Sequence, residues 1–358
     1  MTLHGADPRT VEDAIASADP LPGTSGFAGE LPDGRLVRDV LGREPLFVDG
    51  NAWSFDPTDL DDPSPFPAGH VGAGEGTRHV WSLPDPEPTT DRERALDAVR
   101  ESVETGVETV PDEDVAVAFS GGVDSALLAA LLDAPLHVVG FPDSTDVASA
   151  HDSAAAMGRE ADLVVHELTI EGVEDAVPTV ARAIGRTNAM DVQIALPLYL
   201  VAERVDTDHL VLGQGADELF GGYSKVAKLD HRVEADTVRG ARREVVETLP
   251  DQLERDTLAV RAAGVEPVTP LLHDRVVDAA LRLPDDLLVE DAETEHARRK
   301  AALRDVAAEW LPESVAERDK KAVQYGSLVA RELDRLARQA GFKRRMDDHV
   351  RKYVESRL

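Results

Sequence analysis

The sequence predicts an α/β protein with a doubly wound parallel sheet, a small β-rich N-terminal domain and a helical C-terminal part. Between residues 115 and 212, short apolar runs rich in β-branched residues alternate with helical patterns. Residues 1–82 are instead rich in Gly, Pro and Asp, and after about residue 226 the pattern is almost wholly helical. Because strands that alternate with helices form parallel βαβ units, we place the sheet in the middle region.

In the N-terminal part, short apolar runs such as 46–48 lie between turn signals, which predicts short strands and loops. Residues 83–90 (LPDPEPTT) form a proline-rich acidic linker. Thr90 followed by Glu93 matches a capping box, and it predicts a helix that runs to about Val107.

The middle region supplies the elements of the sheet. We predict strands at 115–119, 136–141, 163–168 and 209–212, and helices at 125–132, 147–159, 173–185 and 191–204. Ligands bind such sheets at the carboxyl ends of the strands. The residues that follow positions 119 and 212 are therefore candidates for a site.

The composition indicates a strongly acidic protein with a substantial core. Acidic residues number 69 against 38 basic ones, and the 42% of apolar residues excludes global disorder. Only 7 lysines and few aromatic residues indicate work in concentrated salt, where a Debye length of roughly 3 Å screens surface repulsion. The alternative is an ordinary acidic cytosolic protein. Either way we expect no nucleic-acid partner, and the basic stretch 343–352 is typical of a solvated helix end.

The complete absence of cysteine excludes disulfides, thiolate metal ligands and a thiol nucleophile. No run of eighteen apolar residues is present, and the first residues (MTLHGADPRT) lack the pattern of a secretory signal. We therefore expect a cytoplasmic protein without a membrane span.

The first candidate motif is AFSGGVDSALLAA at 118–130, where a buried strand passes through a glycine turn into a helix. Backbone N–H groups at the glycines, the hydroxyls of Ser120 and Ser125, and the positive end of the helix favour an anion there. The motif is neither a Walker A loop nor GxGxxG. It resembles the pyrophosphate-binding loop (SGGxDS) of the ATP pyrophosphatase superfamily.

The second motif is LVLGQGADELFGGYSKV at 210–226, again directly after a strand. Together the two motifs resemble the synthetase domain of the asparagine synthetase family, which is similar to that of the β-lactam synthetases. Four further segments resemble family segments in the same order: 141–158, 189–203, 255–272 and 300–327. The resemblance covers about 90–330 and leaves 331–358 as a C-terminal helical extension.

The resemblance implies a binding site for ATP and Mg²⁺. It places the ATP phosphates at Ser120, Gly121, Gly122, Asp124 and Ser125, and the adenosine at the backbone of Val139, Gly140, Phe141 and Gly213. Asp124 and Asp217 would ligate the Mg²⁺. Lys320 matches the family's catalytic lysine, with Lys321 as its alternative, and a lysine there would stabilise developing negative charge.

Gln214 is a departure from the family pattern. The family has a glutamate here, taken to assist deprotonation of the attacking ammonia, and the β-lactam synthetases have a tyrosine. Glutamine cannot accept a proton at neutral pH. Another carboxylate, such as Glu218 or one from the helix with Glu244 and Glu247, could act as base. Alternatively the nucleophile is not ammonia, which is also suggested by His273 and Val268 in place of a family aspartate and arginine.

Residues 1–85 resemble part of the family's glutaminase domain. The stretches 38–48 (RDVLGREPLFV) and 67–74 (PAGHVGAG) carry that resemblance. The family's catalytic cysteine after the initiator methionine is replaced by Thr2, and the region has under half the usual size. We therefore expect a degenerate domain without glutaminase activity.

The implied reaction is Mg-ATP-dependent adenylation of a carboxylate followed by amide formation, with release of AMP and pyrophosphate. Aspartate and ammonia are the favoured substrates, and asparagine is the favoured product. The alternatives are the same chemistry on another acceptor, including intramolecular amide closure, and a nucleotide-binding regulatory or scaffold protein with little turnover. A homodimer or a nitrogen-donating partner protein is left open.

Overall fold

Short antiparallel strands are the main regular structure of the N-terminal part of the chain. The computed structural model describes residues 3–73, 76–292, 294, 296–318, 323–345 and 347–358. The first eight strands are β1 (Leu3–His4), β2 (Ala28–Glu30), β3 (Leu36–Arg38), β4 (Phe47–Asp49), β5 (Ala52–Ser54), β6 (Ser64–Pro65), β7 (His70–Ala73) and β8 (Gly76–His79). They form two sheets, with the orders β1-β2-β3-β7-β8 and β5-β4-β6.

The N-terminal part also contains a helix, α1 (Pro8–Ser17), between β1 and β2. The carboxylate of Asp7 accepts the N–H groups of Arg9 and Thr10, and Pro8 occupies the first helical position. An aspartate cap followed by proline is a helix start signal, so α1 is an element that the prediction of short strands and loops did not include.

The linker leads into α2 (Arg92–Val107), close to the predicted bounds. The cap is Asp91, whose side chain accepts the N–H of Arg94, and not Thr90. Two arginines hold the linker. Arg243 donates to the carbonyls of Leu83 and Pro84, and Arg239 donates to that of Pro86.

The predicted doubly wound parallel sheet is confirmed. Its strands are β9 (Val115–Ala118), β10 (Leu136–Gly140), β11 (Leu163–Glu167), β12 (His209–Val211) and β13 (Glu266–Val268). The order is β11-β10-β9-β12-β13, and all neighbours are parallel. The first and second motifs follow the adjacent strands β9 and β12, so they leave the same edge of the sheet side by side.

The fifth strand, β13, lies in a region that the pattern predicts as helical. It is an edge strand that pairs with β12, and its middle residue is Pro267. Proline is tolerated at a sheet edge because its missing N–H is not needed there. A three-residue strand containing proline gives no periodic signal, which is why the sequence did not reveal it.

Helices cover both faces of the sheet. Those from the sheet region are α3 (Val123–Leu131), α4 (Thr145–Ala156), α5 (Ile170–Ala183), α6 (Ala189–Ala202), α7 (Ala216–Leu219), α8 (Ser224–Lys228), α9 (Val238–Val246) and α10 (Leu249–Arg261). On β9, Ala116 packs into the core formed with α5, α6 and α10, whereas Val117 packs into the core formed with α2 and α3. This alternation is what a strand buried on both faces requires.

The remainder is mostly helical, as predicted. It contains the hairpin of β14 (Val289–Glu290) and β15 (Arg298–Arg299), and the helices α11 (Asp274–Leu281), α12 (Asp285–Leu288), α13 (Ala301–Ala307), α14 (Glu313–Ala316), α15 (Val323–Gly326), α16 (Val329–Gln339) and α17 (His349–Glu355). Helices α16 and α17 pack against α5, and α16 also packs against α6.

Buried ion pairs join the N-terminal strands to the sheet region. The Arg43 guanidinium lies 2.9 Å from Asp39 and 2.8 Å from Asp274, and all three side chains are almost fully buried. Arg38 lies 3.4 Å from Glu254 on α10. Breaking such a pair leaves an uncompensated buried charge, so these contacts tie the two parts together.

Candidate active site

A cavity of about 640 Å³ opens at the carboxyl ends of β9, β10 and β12. The predicted site residues that line it are Ser120, Gly122, Asp124, Ser125, Val139, Gly213, Gln214 and Asp217. Gly121, Gly140 and Phe141 are not among the lining residues. Lys320 and Lys321 lie outside the described residues, although Arg318 and Tyr325 on either side of them both line the cavity.

The first motif forms a tight turn at the start of α3. Gly121 has a positive φ of 73°, and a Cβ atom there would overlap the backbone of Ser149 on α4. The hydroxyls of Ser120 and Ser125 lie 3.2 Å apart. Gly122 caps this nine-residue helix without a side-chain hydrogen bond, and the helix N-terminus faces the cavity, since residues 122–125 line it. Such a terminus favours a bound anion.

Lys300 joins the two motifs through their carboxylates. Its Nζ lies 2.8 and 2.7 Å from the two carboxylate oxygens of Asp124 and 2.8 Å from Oδ1 of Asp217. Burial alone would lower the pKa of the Lys300 ammonium, but the two carboxylates raise it above its ordinary value. The two predicted metal ligands therefore do converge on one point, and a lysine ammonium lies there.

Lys300 is a residue of the site that was not predicted from the sequence. It lies 176 positions after Asp124 and lines the cavity from the start of α13. The only available signals were its place at the head of the segment 300–327 and the rarity of lysine in this chain. The pair Lys320 and Lys321 in the same segment drew the prediction instead.

The acidic pair fits a magnesium ion. Mg²⁺ is usually bound by one or two carboxylates together with substrate phosphates, and Asp124 and Asp217 supply two that face one position. A Cβ atom at Gly222 would overlap Asp217 and Lys300, so glycine is required for this close approach. Among the described residues, no three His, Asp or Glu side chains are grouped to hold a metal. The remaining ligands would therefore come from phosphate and water.

We call this end of the cavity the phosphate end, and we define it by Ser120–Ser125, Asp217, Lys300, Arg304 and Arg318. Besides Lys300, it contains two further cations, Arg304 and Arg318. Arg304 is 5% exposed, and its guanidinium donates to the carbonyls of Arg299 and Ala316. The guanidinium of Arg318 lies 3.3 Å from the carboxylate of Asp152. These positive groups beside a helix N-terminus suit a polyphosphate.

An apolar wall adjoins the phosphate end. It is formed by side chains of β10 and α6, namely Val138, Val139, Ile194, Leu198 and Val201. The predicted adenosine residues Gly140 and Phe141 follow Val139 in the chain and do not line the cavity. Phe141 is buried, and its N–H donates to the carbonyl of Ser327. An apolar wall next to a polyphosphate site is the environment that a nucleotide base needs.

The other end of the cavity, which we call the acceptor end, is formed by Gln214, Glu218, Tyr223, Arg255 and Asp256. Tyr223 donates a 2.6 Å hydrogen bond from its hydroxyl to Glu218. Burial, followed by the charge of Asp217, raises the pKa of Glu218 to about 7. Burial and the charge of Glu218 also raise the pKa of Tyr223.

An ion-pair network lies at the back of the acceptor end. Arg255 is buried and donates to Asp256 at 2.7 Å and to Asp191 at 3.0 Å. Arg186 lies 3.4 Å from Asp191 and 2.9 Å from Glu254. Arg255 and Asp256 begin the segment 255–272, which resembles a family segment, and both of them line the cavity.

The other departures from the family pattern lie away from the cavity. His273 is 4% exposed, and its Nδ1 accepts the N–H of Arg275 at the start of α11. Val268 belongs to the edge strand β13. Glu244, considered as a base, accepts the N–H groups of Glu234 and Ala235 and does not line the cavity. Of the carboxylates considered as bases, Glu218 does line it.

No helix within the described residues is both long and apolar enough to cross a membrane.

Comparison with known proteins places this geometry in a family. The family model of asparagine synthase matches residues 94–245 and 230–356. The chain is similar to putative asparagine synthetase [glutamine-hydrolyzing] 1 of Methanocaldococcus jannaschii, with 30% identity over 66% of this chain and 50% of the relative. It is also similar to asparagine synthetase B [glutamine-hydrolyzing] of Escherichia coli, with 27% identity over 66% of this chain and 45% of the relative.

The chain spans about half the length of these curated relatives. A probable asparagine synthetase [glutamine-hydrolyzing] of Dictyostelium discoideum is 25% identical over 81% of this chain and 60% of its own length. The family match covers most of the chain and includes both motifs that line the cavity. The chain therefore belongs to the asparagine synthase family.

Proposed function

We propose that the protein uses Mg-ATP to adenylate a carboxylate and then forms an amide, making asparagine from aspartate with ammonia as nitrogen donor. The products are AMP and pyrophosphate. The observation that carries the proposal is the meeting of Asp124 and Asp217 around one cation position, beside the N-terminus of α3 and inside a single cavity.

The phosphate end binds the nucleotide in this proposal. The N–H groups at the start of α3 and the hydroxyls of Ser120 and Ser125 hold phosphate oxygens, and Arg304 and Arg318 balance their charge. Asp124 and Asp217 would hold Mg²⁺, which supplies charge neutralisation for the α- and β-phosphates and the leaving pyrophosphate. The wall of β10 and α6 receives the adenosine.

The chemistry consists of two substitutions. A carboxylate oxygen of aspartate attacks the α-phosphorus, a new P–O bond forms, and the bond to pyrophosphate breaks. Ammonia then attacks the acyl carbon, the C–O bond to AMP breaks, and the nitrogen gives up a proton. Lys320 keeps the role implied by the family resemblance, the stabilisation of negative charge in both steps. Glu218 lies at the acceptor end and is our candidate for the group that receives the proton.

Ammonia is the proposed nitrogen donor because the chain offers no cysteine to hydrolyse glutamine. The region that resembles the glutaminase domain forms two small antiparallel sheets and helix α1. We assign this region a structural role, since Arg43 and Arg38 tie it to α11 and α10 through buried ion pairs.

Gln214 favours a second candidate function, the same adenylation with a different amine as acceptor. Gln214 lies in the cavity where the family has a glutamate, so the family's base for ammonia is absent and Glu218 would have to receive the proton in its place. An amine that reaches Glu218 directly would not need that glutamate.

The test is a turnover assay with ATP, Mg²⁺ and aspartate, supplied either with an ammonium salt or with glutamine. We expect asparagine and pyrophosphate in equal amounts with ammonium, and neither asparagine nor glutamate with glutamine. Pyrophosphate release with another carboxylate or amine, but not with these substrates, would favour the second candidate. Silence with every carboxylate would contradict the proposal and support a nucleotide-binding protein with little turnover.

A further inference from the structure

We propose that Lys300 is a built-in competitor for the divalent cation. In the free protein its ammonium occupies the position between Asp124 and Asp217, and the pair becomes available to a metal only when nucleotide phosphates offer Lys300 another anion. This inference rests on the proposed function for its nucleotide, but not on any particular carboxylate or amine.

The geometry of the lysine supports this role. Its Nζ contacts three carboxylate oxygens at 2.7–2.8 Å. These are the distances of charge-assisted hydrogen bonds. Lys300 is only 6% exposed, so few water molecules compete for its ammonium. The contacts are therefore worth more here than they would be on the surface.

The backbone of Lys300 is also unusual. It lies in the left-handed region, with φ 57° and ψ 38°, at the N-cap of α13. A non-glycine residue persists in this conformation only where the surroundings determine it. Here the surroundings include Gly222, whose lack of a Cβ atom leaves space for the Lys300 side chain beside Asp217. The protein therefore places this ammonium between the carboxylates.

A metal ion and Lys300 exclude each other at the pair. Mg²⁺ binds oxygen at 2.0–2.1 Å, whereas the lysine ammonium already lies within 2.8 Å of both carboxylates. Two cations held by the same oxygens would repel strongly in a partly buried site. Because Lys300 also lines the phosphate end of the cavity, a polyphosphate can draw its ammonium away from the pair.

The charges favour the same order of events. Asp124, Asp217 and Lys300 together carry one net negative charge. This charge attracts a free divalent cation only weakly, because the cation must displace the ammonium of Lys300. A nucleotide adds several negative charges, enough to balance both the lysine and the metal. The binding of the metal and the binding of the nucleotide to the protein should therefore be coupled. The coupling free energy should be larger than the affinity of the metal for the nucleotide in solution accounts for.

The experiment measures Mn²⁺ binding by electron paramagnetic resonance, without turnover, in about 1 M KCl to screen the acidic surface. The proteins are the wild type, Lys300→Met, and the matched control Lys228→Met, which removes an exposed lysine. Without nucleotide, we expect Lys300→Met to bind one Mn²⁺ at least tenfold more tightly than the wild type, and Lys228→Met to match the wild type.

A second arm adds α,β-methylene ATP, which cannot be cleaved at the bond that the reaction breaks. This nucleotide should increase the Mn²⁺ affinity of the wild type at least tenfold more than that of Lys300→Met. If Lys300→Met unfolds by circular dichroism, Lys300→Gln replaces it. A folded variant that binds Mn²⁺ no more tightly than the wild type would overturn the inference. This result would leave the proposed function intact, since that function is judged by amide formation.

Discussion

The two ends of the cavity are built in different ways. The phosphate end consists largely of backbone, glycine and short side chains from two continuous motifs, each directly after a strand of the sheet. The acceptor end consists of longer side chains: Gln214, Glu218 and Tyr223 come from the second motif, whereas Arg255 and Asp256 come from α10 and are already paired to each other. Both ends belong to one cavity, and in each of them the residues from the motifs are completed by charged side chains from later segments of the chain, which are Lys300, Arg304 and Arg318 at the phosphate end and Arg255 and Asp256 at the acceptor end.

This difference indicates which half of the proposed reaction can be assigned from the residues of the cavity. The phosphate end carries the groups that any adenylating reaction needs: a helix N-terminus, an acidic pair and several cations. The acceptor end has Gln214 where the family has a glutamate. Variants at the phosphate end should therefore affect every substrate, whereas variants at the acceptor end should change the preference among substrates.

The largest effect is expected at the acidic pair. Asp124→Asn or Asp217→Asn should lower pyrophosphate release at least tenfold, or ~1.4 kcal/mol of transition-state stabilisation, with every carboxylate tested. The reason is that each variant removes one charged ligand from the cation position. The measurement is steady-state pyrophosphate release.

The matched control is Asp278→Asn, a partly exposed aspartate of α11 that is paired to Arg282. It should retain wild-type activity, and all three variants should retain the wild-type circular dichroism spectrum. More than a tenth of wild-type turnover in either Asp124→Asn or Asp217→Asn would remove that residue from the metal site.

The next effect is expected at the acceptor end. Gln214→Glu should increase asparagine formation from aspartate and ammonium at least tenfold at neutral pH, because it restores a carboxylate that can accept a proton from the attacking nitrogen. General-base assistance is typically worth 10²–10⁴-fold. The measurement is kcat/KM for ammonium.

Gln252→Glu is the control, since it adds the same charge at another glutamine of the cavity. It should give no gain. If Gln214→Glu is no better than the wild type, the base lies elsewhere and the acceptor end is already complete for ammonia.

The smallest effect concerns His137, which lines the cavity and whose Nδ1 lies 2.9 Å from Nε2 of His166 on the neighbouring strand β11. Burial, followed by the charge of His166, lowers the pKa of His137 to about 4. The unfolded state therefore binds more protons than the folded state between about pH 6.5 and 4. The stability contributed by neutral His137 is complete above this range and is lost as the pH falls through it.

His137→Gln should thus show a shallower loss of unfolding free energy between pH 6.5 and 4 than the wild type. Urea denaturation at several pH values provides the measurement. His151→Gln, at an exposed histidine of α4, should keep the wild-type slope. An unchanged slope in His137→Gln would mean that this imidazole is already protonated in the folded protein at mildly acidic pH.

The sheet and the phosphate end could be predicted from sequence because their signals are local. Strands β9, β10, β11 and β12 are short runs rich in apolar and β-branched residues, and both motifs lie directly after such runs. Strand β13 escaped prediction because an edge strand of three residues with a central proline has no period. Helix α1 escaped because its Asp-Pro start lies in a region rich in turn residues.

Lys300 and the pairing of Arg255 at the back of the acceptor end could not be predicted in the same way, whereas Gln214 and Glu218 could. Lys300 reaches Asp124 only because α13 packs beside α3, and no sequence spacing shows that contact. Asp191 and Arg255 likewise come together from α6 and α10. Such positions depend on how separate helices pack, which the residue pattern of each helix does not show.

The central claim is that a carboxylate oxygen attacks the α-phosphorus of ATP at the phosphate end. Aspartate labelled with ¹⁸O in its side-chain carboxylate, incubated with ATP, Mg²⁺ and ammonium, tests it by mass spectrometry of the nucleotide product. Since the amine breaks the C–O bond to AMP, we expect one ¹⁸O atom in each AMP formed. Unlabelled AMP, or ADP with the label in inorganic phosphate, would contradict the claim.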